Sequence, residues 1–389
     1  MESLRGKVAI VGAADTQVGI VPELGATQLC IDAVRRVLDD AGIGKDQVDG
    51  LVTCNSMAEP YMYHAEAMAE YLQIFPRYCI SVGAGGGTTF SILHHVASAI
   101  VTGLCDTVVI SMADSLRSGL SREQALLMQS ATGHAQFEQP YGATVPAYYA
   151  LIARAHMARY GTTQEQFARI AVACRKHASL NPSAQMRDLI TVEDVVNSRM
   201  IADPLHLLDC SLVSDGGSAV ILTSAERAKD FPHPPVYLLG VGEGHGHEHI
   251  SQAQSLTTSA AVESGQRAYA MAGLGPADMD FAQLYDCFTP TVLLELEDLG
   301  FCEKGEGGAF VESGAIELGG VLPVNTHGGL LSHCHPGNPG SMFALTETVM
   351  QLRAQAGERQ VAGAEVAMVH GQGGIMSSHT SLILGRENA

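Results

Sequence analysis

Leu322-Pro323-Val324-Asn325-Thr326-His327-Gly328-Gly329-Leu330-Leu331-Ser332-His333-Cys334-His335-Pro336-Gly337 carries the densest signal in the chain. A Gly-Gly pair gives a tight turn, His335 stands directly before a proline and a glycine, and a helical pattern runs from Ser341 to Arg353. This order predicts an imidazole held on a loop at the mouth of a helix. Histidine is the side chain that exchanges protons near neutral pH, so the loop is a first candidate for chemistry.

Outward from this loop the chain alternates. Short β-rich runs at 8–12, 50–54, 79–82 and 107–111 read as buried strands, with helical spacing over 27–40 and 88–100 between them. That is β-α-β alternation with both sheet faces covered. From about residue 115 to 205 the pattern turns polar, helical and irregular, which suggests a cap inserted between core strands. Val213 to Leu222 returns to the core, and Pro232-His233-Pro234-Pro235 reads as a linker. Strands at 236–240, 281–285, 366–371 and 381–385, with helices at 259–271, from 292 and at 341–353, then repeat the logic of the first half. The expected organisation is an N-terminal half over 1–230, with a loop domain at 115–205, and a C-terminal half over 231–389. The pattern alone equally admits two unrelated doubly wound domains.

Composition narrows the class. A chain of 389 residues exceeds one typical core, and 46% hydrophobic content with a mean hydropathy of +0.13 fits a well-buried globular protein. The 42 glycines and only 16% charged residues point to tight turns and little exposed charged helix. No apolar run reaches membrane-spanning length. The opening Met1-Glu2-Ser3-Leu4-Arg5-Gly6-Lys7 leads towards a strand and lacks the apolar core of a signal peptide. Nine cysteines, an odd number without C-x-x-C spacing, read as reduced thiols of a cytoplasmic protein. A net charge of −19 argues against nucleic acid as a partner. Against that balance, Arg154 to Arg199 holds seven basic and four acidic residues. A locally positive segment suits an anionic ligand, and a helical pair with solvated arginines explains it as well.

Asn325-x-x-Gly328-Gly329 followed by His335-Pro336-Gly337 resembles the histidine loop of the thiolase superfamily. The likeness recurs in order along roughly residues 5 to 386. Its landmarks include Gly-Leu-Val-Thr-Cys-Asn (50–55), Asn-Pro-Ser-Ala-Gln-Met-Arg-Asp (181–188), Val-Ser-Asp-Gly-Gly-Ser-Ala-Val (213–220), Tyr-Asp-Cys-Phe (285–288) and Gly-Phe-Cys-Glu-Lys-Gly (300–305). The pattern is similar to thiolases of the sterol-carrier-protein type. It implies an α/β fold of duplicated halves with a five-layer αβαβα core, and C–C bond chemistry beside a coenzyme A thioester. The thioester is then substrate, with no bound cofactor and no metal. Thiolases dimerise, and cysteine-less relatives work with a small zinc-ribbon/OB-fold protein, so a homodimer or a heterotetramer is implied.

The four loops that meet at the family's site depart from its pattern here. Where a thiolase carries its nucleophilic cysteine, this chain reads Val82-Gly83-Ala84-Gly85-Gly86-Gly87, so covalent acyl-enzyme chemistry by the ordinary route is not expected. Amides at a helix start remain as an oxyanion site, and a merely cramped turn is an equal reading. Tyr285-Asp286 stands where relatives carry His-Asp, as in cysteine-less retro-aldolases. A phenol there can donate a hydrogen bond or exchange a proton. His335 is retained, and Cys334 beside it is either an unorthodox nucleophile or a small loop residue. The fourth loop, His370-Gly371-Gln372-Gly373-Gly374, lacks the family's second cysteine, and His370 either faces the site or ends a strand.

The resemblance thus places catalytic candidates at His335, Tyr285, Asp286 and Cys334. Oxyanion or substrate contacts fall at Gly83, Ala84, Gly85, Gly86, Asn325, His370, Gly373 and Gly374, while the local positive charge, rather than the resemblance, suggests CoA contacts at Arg154, Arg175, Lys176 and Arg187. His245-x-His247-x-His249 resembles a metal box on an extended strand, but in a glycine-rich loop such histidines are commonly solvated. The favoured reaction is retro-aldol cleavage of a 3-hydroxyacyl-CoA. The alternatives are retro-Claisen cleavage or acyl transfer on a 3-oxoacyl-CoA, and a non-catalytic acyl-CoA-binding or lipid-binding subunit.

Overall fold

Strand alternation sorts the apolar residues into two cores. In β1 (Val8–Asp15), Val8 and Ile10 join one buried cluster while Ala9 and Val11 join another. Val220 and Leu222 against Ala219 and Ile221, and Leu382 and Leu384 against Ile383, divide the same way. A period of two with both sets buried is what a sheet covered on both faces requires. The computed structural model describes residues 4–388, so Met1 to Ser3 of the opening segment lie outside the described residues.

The remaining strands are β2 (Gly50–Thr53), β3 (Tyr78–Ser81), β4 (Thr107–Ser115), β5 (Met200–Ala202), β6 (Leu205–His206), β7 (Asp215–Ser224), β8 (Val236–His245), β9 (Phe281–Gln283), β10 (Val366–Gly373) and β11 (Ser378–Gly385). Nine of them run in the order β3-β2-β4-β7-β1-β8-β11-β10-β9, and β5 and β6 pair separately. The order is duplicated about the β1–β8 contact, a ladder of two residue pairs. β1–β7 and β8–β11 are both antiparallel, as are β4–β7 and β10–β11. β2–β4 and β9–β10 are both parallel. The counterpart of β3 shrinks to a single parallel bridge, Ala282 to Val324. Pairing sense therefore matches position by position, which distinguishes duplicated halves from two unrelated domains.

Helices Thr88–Val101 and Gly340–Leu352 touch each other and strands of both halves, so they form the central layer. Phe90, Ile92 and Leu93 of the first, with Met342, Leu345 and Val349 of the second, fill the inner core. Helices Ala26–Ala41 and Ala261–Ala272 cover the outer faces, completing a five-layer αβαβα arrangement. The second of these outer helices depends on a glycine stripe. A Cβ at Gly240, Gly242 or Gly244 on one face of β8 would fall 2.2, 2.1 or 2.3 Å from the carbonyl oxygens of Ala268, Ser264 and Ala260. Helix and strand thus meet backbone to backbone. Between β4 and β7 the chain builds a helical cap, chiefly Val145–Tyr160 and Gln164–Ser179, which lies against helix Thr289–Asp298 and the histidine loop.

Gly240→Ala is expected to lower stability by about 1–3 kcal/mol through this overpacking, while Gly246→Ala, whose methyl meets its nearest atom at 3.9 Å, stays within about 0.5 kcal/mol. Urea midpoints of the two variants check the difference.

Candidate active site

Four loops reach one place because each follows the carboxyl end of a strand in the parallel part of a half. Residues 83–87 follow β3, Tyr285 follows β9, the histidine loop follows the Val324 bridge, and 374–377 follow β10. Clefts in α/β proteins form at such strand ends. Asn325 fixes the second loop to the third. It sits at φ 54°, accepts from the Leu284 amide at 2.8 Å and donates to the Leu284 carbonyl at 2.9 Å. Both ends of its amide are thereby engaged with the residue before Tyr285, so Asn325 orients that loop rather than presenting itself to a substrate.

Asp286 also works on the scaffold. Its oxygens accept from the amides of Leu330 at 2.8 Å and Leu331 at 3.2 Å, at the start of the short helix Gly329–Ser332, and the Cys174 thiol approaches at 3.6 Å. Burial raises its pKa to about 6 against the opposing pull of those amides. Gly329, at φ 64°, must be glycine, because a Cβ would lie 1.9 Å from Asp286 Oδ2. The sequence suggests a Gly-Gly turn here, whereas the structure forms a helical turn capped by a carboxylate. Asp286, a candidate catalytic group by resemblance, spends both oxygens on these contacts while lining a small cavity with Tyr285 and His327.

Two catalytic candidates, Tyr285 and His335, face each other. The phenol oxygen lies 3.1 Å from His335 Nε2, and the rings meet nearly edge to face, 6.0 Å apart at 82°. Ser211 Oγ lies 2.9 Å from His335 Nδ1, so each ring nitrogen faces a hydroxyl. Burial pulls the imidazole pKa down to about 4, and burial followed by the nearby Cys287 and Asp286 pushes the phenol well above 10. Both groups are neutral at physiological pH. The backbone of His335 is clamped by Ser214, whose Oγ accepts from the His335 amide at 3.0 Å and whose amide donates to the His335 carbonyl at 3.1 Å. Ser211 and Ser214 escaped sequence reasoning. They belong to Asp-Cys-Ser-Leu-Val-Ser-Asp (209–215), a segment that overlaps a family landmark and shows no spacing suggestive of chemistry.

The cysteine-less loop is packed by its glycines. A Cβ at Gly86 would fall 2.2 Å from the Tyr285 ring, and one at Gly85, φ 57°, 2.8 Å from the Cα of Gly373. A Cβ at Gly373 would overlap the Ala84 carbonyl oxygen, so the first and fourth loops touch through bare backbone. Gly83 alone has open space before it. Gly374 is fixed by Tyr149, whose hydroxyl donates to its carbonyl at 3.0 Å and accepts from Gln372 Nε2 at 2.7 Å.

The remaining candidates are engaged by partners of their own. Cys334 is 1% exposed, and burial raises its thiol well above 9, so no thiolate forms there. His370 is buried between Ser381 Oγ at 2.8 Å and His379 Nδ1 at 3.1 Å, and it lines a small cavity with Tyr285 and His327. The four basic residues do not converge. Arg154 pairs with Asp203, Lys176 with Glu317 at 2.5 Å, and Arg187 donates to the Ser179 carbonyl. Arg175 is buried and ties the cap to the histidine loop through Ser332 Oγ at 2.9 Å. It is a structural strut, and a buried guanidinium so engaged is not offered to a phosphate. The histidines of the 245–249 segment also take separate partners. His245 meets Ser378 and Glu243, His247 the Ile375 carbonyl, and His249 the His134 ring. Among the described residues no group of three or more such side chains is arranged to hold a metal ion.

The family model described as "Thiolase, N-terminal domain" matches residues 8–226, and "Thiolase C-terminal domain-like" matches 242–386. A steroid side-chain-cleaving aldolase of Thermomonospora curvata is 39% identical over 86% of this chain and 88% of its own. The 17-hydroxy-3-oxo-4-pregnene-20-carboxyl-CoA lyase of Mycobacterium tuberculosis is 37% identical over 98% of this chain and 100% of its own. An acetyl-CoA acetyltransferase of Methanothermobacter thermautotrophicus is 35% identical over 94% and 96%. The solved structure of an Ltp2-ChsH2(DUF35) aldolase superposes with a TM-score of 0.87 at 36% identity, covering 98% of each chain.

A folded-state pKa near 4 for His335, below the 6.5 of a free imidazole, means that its ring takes up a proton only after unfolded histidines have done so. Its share of stability is therefore complete above pH 6.5 and declines as pH falls towards 4. Histidine-labelled NMR, with the resonance assigned by His335→Gln, should show a neutral ring from pH 8 down to about 5. A midpoint near 6.5 would contradict the described burial.

Proposed function

The chain belongs to the thiolase family, and from that membership and the geometry of its site we propose that it cleaves a 3-hydroxyacyl-CoA by a retro-aldol reaction. The observation that carries this reading is Tyr285 Oη facing His335 Nε2 at 3.1 Å against a Gly86 that leaves no room for a side chain. Retro-aldol chemistry needs a base for the substrate hydroxyl and a holder for the enolate, but no acyl-enzyme. The Tyr285–His335 pair takes the hydroxyl proton and the bond between Cα and Cβ breaks. Its electron pair enters the thioester enolate, while the departing fragment becomes an aldehyde or ketone. The enolate then takes up one proton at Cα and leaves as the shortened acyl-CoA, so the reaction is redox-neutral. Amides of Gly83, Gly85, Gly86 and 373–374 supply the oxyanion contacts in this scheme, the Ala84 amide being donated to Thr88 Oγ1 at 2.8 Å. Both lyase relatives, named for CoA-ester or side-chain cleavage, support it.

The acetyltransferase relative favours one competing reading, retro-Claisen cleavage of a 3-oxoacyl-CoA by free CoA. The buried, protonated Cys334 weighs against a displaced-cysteine version of it.

Assembly enters the proposal on two grounds. β3 is the outermost strand of the sheet, and Met62, Tyr63 and Phe75 near it are 87, 68 and 93% exposed. An unpaired edge beside apolar surface suits a second copy of this chain. The aldolase structure named with a DUF35 partner supports a heterocomplex as well. Among the described residues no helix is long and apolar enough to cross a membrane. Nine free thiols suit a reducing compartment such as the cytoplasm.

Mass spectrometry of products tests the reaction, using the chain alone and with a DUF35-type partner. A carbonyl compound and a shortened acyl-CoA should form from 3-hydroxyacyl-CoA without free CoA. Cleavage restricted to 3-oxo substrates and dependent on CoA would replace the proposal with the competing reading. Tyr285→Phe should lower kcat by about 10²–10⁴-fold with an unchanged melting temperature.

A further inference from the structure

Building on the reading that fourth-loop amides hold the thioester oxygen, we propose that Tyr149 is a positioning residue, which reaches from the cap to hold Gly374 and keep its amide aimed at the substrate. Gly374 sits at φ 65°, and glycine has the widest backbone freedom of any residue. An amide used as an oxyanion donor must instead keep one direction. Peptide planes are rigid, so a held carbonyl also fixes the amide across the same plane. Ser377 holds the Gly373 carbonyl through its amide at 3.0 Å and its Oγ at 2.9 Å, which fixes the plane entering Gly374. Tyr149 Oη holds the Gly374 carbonyl at 3.0 Å, which fixes the plane leaving it. With both planes held, neither dihedral of Gly374 is free.

Every donor in this clamp is settled by its partner. A carbonyl only accepts, so the Tyr149 hydroxyl donates to Gly374, and its oxygen is left to accept from Gln372 Nε2 at 2.7 Å. The Met376 amide donates to Gln372 Oε1 at 3.2 Å, which sets the Gln372 side-chain amide that way round. His247 Nε2 meets the Ile375 carbonyl at 3.0 Å, and so carries a hydrogen there. Holding that carbonyl fixes the Met376 amide across the plane, which links His247 through Met376 and Gln372 to Tyr149. One histidine of the segment that resembles a metal box thus steadies the loop. Burial pushes the Tyr149 phenol well above 10, so it remains a donor at physiological pH.

The clamp is also joined to the tyrosine loop. The Tyr149 ring stacks on Phe288, with centroids 4.5 Å apart at 27°, and Gln372 Nε2 also donates to Cys287 Sγ at 3.2 Å. The Gly374 nitrogen lies 3.0 Å from the place a Cβ on Gly85 would take, next to the Gly86 against which Tyr285 packs. Tyr149 thereby couples the cap helix Val145–Tyr160 to loops that meet at Tyr285. In the retro-aldol scheme negative charge gathers on the thioester oxygen as the bond between Cα and Cβ breaks. A Gly374 amide of fixed direction lowers that barrier, while ground-state binding changes little.

Tyr149→Phe in the full-length protein removes the hydroxyl and keeps the ring for Phe288. It should lose about 10- to 100-fold in kcat with KM changed by less than about threefold. Infrared spectra of bound propionyl-CoA, carbon-13-labelled at the thioester carbonyl, should show a lower stretching frequency than the same compound in water. Most of that shift should be lost in Tyr149→Phe. A folded Tyr149→Phe protein that keeps kcat within about twofold, or keeps the parent's carbonyl frequency, overturns the proposal. If Tyr149→Phe does not fold, the half-buried His247 supplies a second variant. His247→Ala should lose part of the carbonyl shift, and His247→Gln, which keeps a donor, should regain it. An unchanged frequency in His247→Ala then overturns the proposal, as does a parent that leaves the carbonyl unshifted. A parent that shifts the carbonyl yet cleaves no 3-hydroxyacyl-CoA sinks the retro-aldol reading, while the loss of that shift in the variants still supports the clamp.

Discussion

Two glycine loops in contact set the terms for the rest of the molecule. Gly85 and Gly86 from the first half lie against Gly373 and the Gln372 carbonyl from the second, at separations that admit no Cβ. Only backbone can occupy that space, and the Tyr285 ring then rests on Gly86. A side-chain nucleophile at either position would force the halves apart or displace the phenol. The same closeness brings the backbone of both loops to one place beside Tyr285.

Duplication delivers those loops. Each half carries its parallel strands at one end of the strand order, and helices Thr88–Val101 and Gly340–Leu352 fill the layer between the two halves of the sheet. Beneath the histidine loop lies a buried polar network. Arg359 bonds Glu347 at 2.8 Å, Thr326 Oγ1 donates to Glu347 at 2.8 Å, and Gln351 and Gln283 both donate to Thr326. A buried ion pair adds little net stability, but with its hydrogen bonds satisfied it fixes one arrangement. That floor holds residues 325–327 while Asp286 and Ser214 hold the loop from the sides. The Tyr285–His335 pair is therefore held by hydrogen bonds from several segments of the chain.

The contrast between Arg175 and Ser211 shows how far the sequence carried. A basic residue in a locally positive stretch was a reasonable phosphate contact, yet Arg175 turns inwards to Ser332 and the Asp188 carbonyl. Ser211 offered no signal at all, yet it touches the imidazole. Helix Thr289–Asp298 begins three residues before the expected 292, because Pro290 in its first turn starts a helix without needing a hydrogen-bonded amide. β8 likewise runs on to His245, converting part of an expected loop into strand, since pairing with β11 continues to Ser378.

The sequence by itself determined the α/β class, the repeat of one pattern in two halves, the loss of the cysteine and the order of the loops. All of these are written in local periodicity, glycine placement and short motifs, which depend on neighbours along the chain. Only the tertiary structure decided which side chains face one another. Tyr285 and His335 stand 50 residues apart, Ser211 and His335 124 apart, and the glycine loops nearly 290 apart. Side-chain direction at such separations follows from packing, hydrogen-bond satisfaction and burial summed over the whole core. No local pattern records that sum.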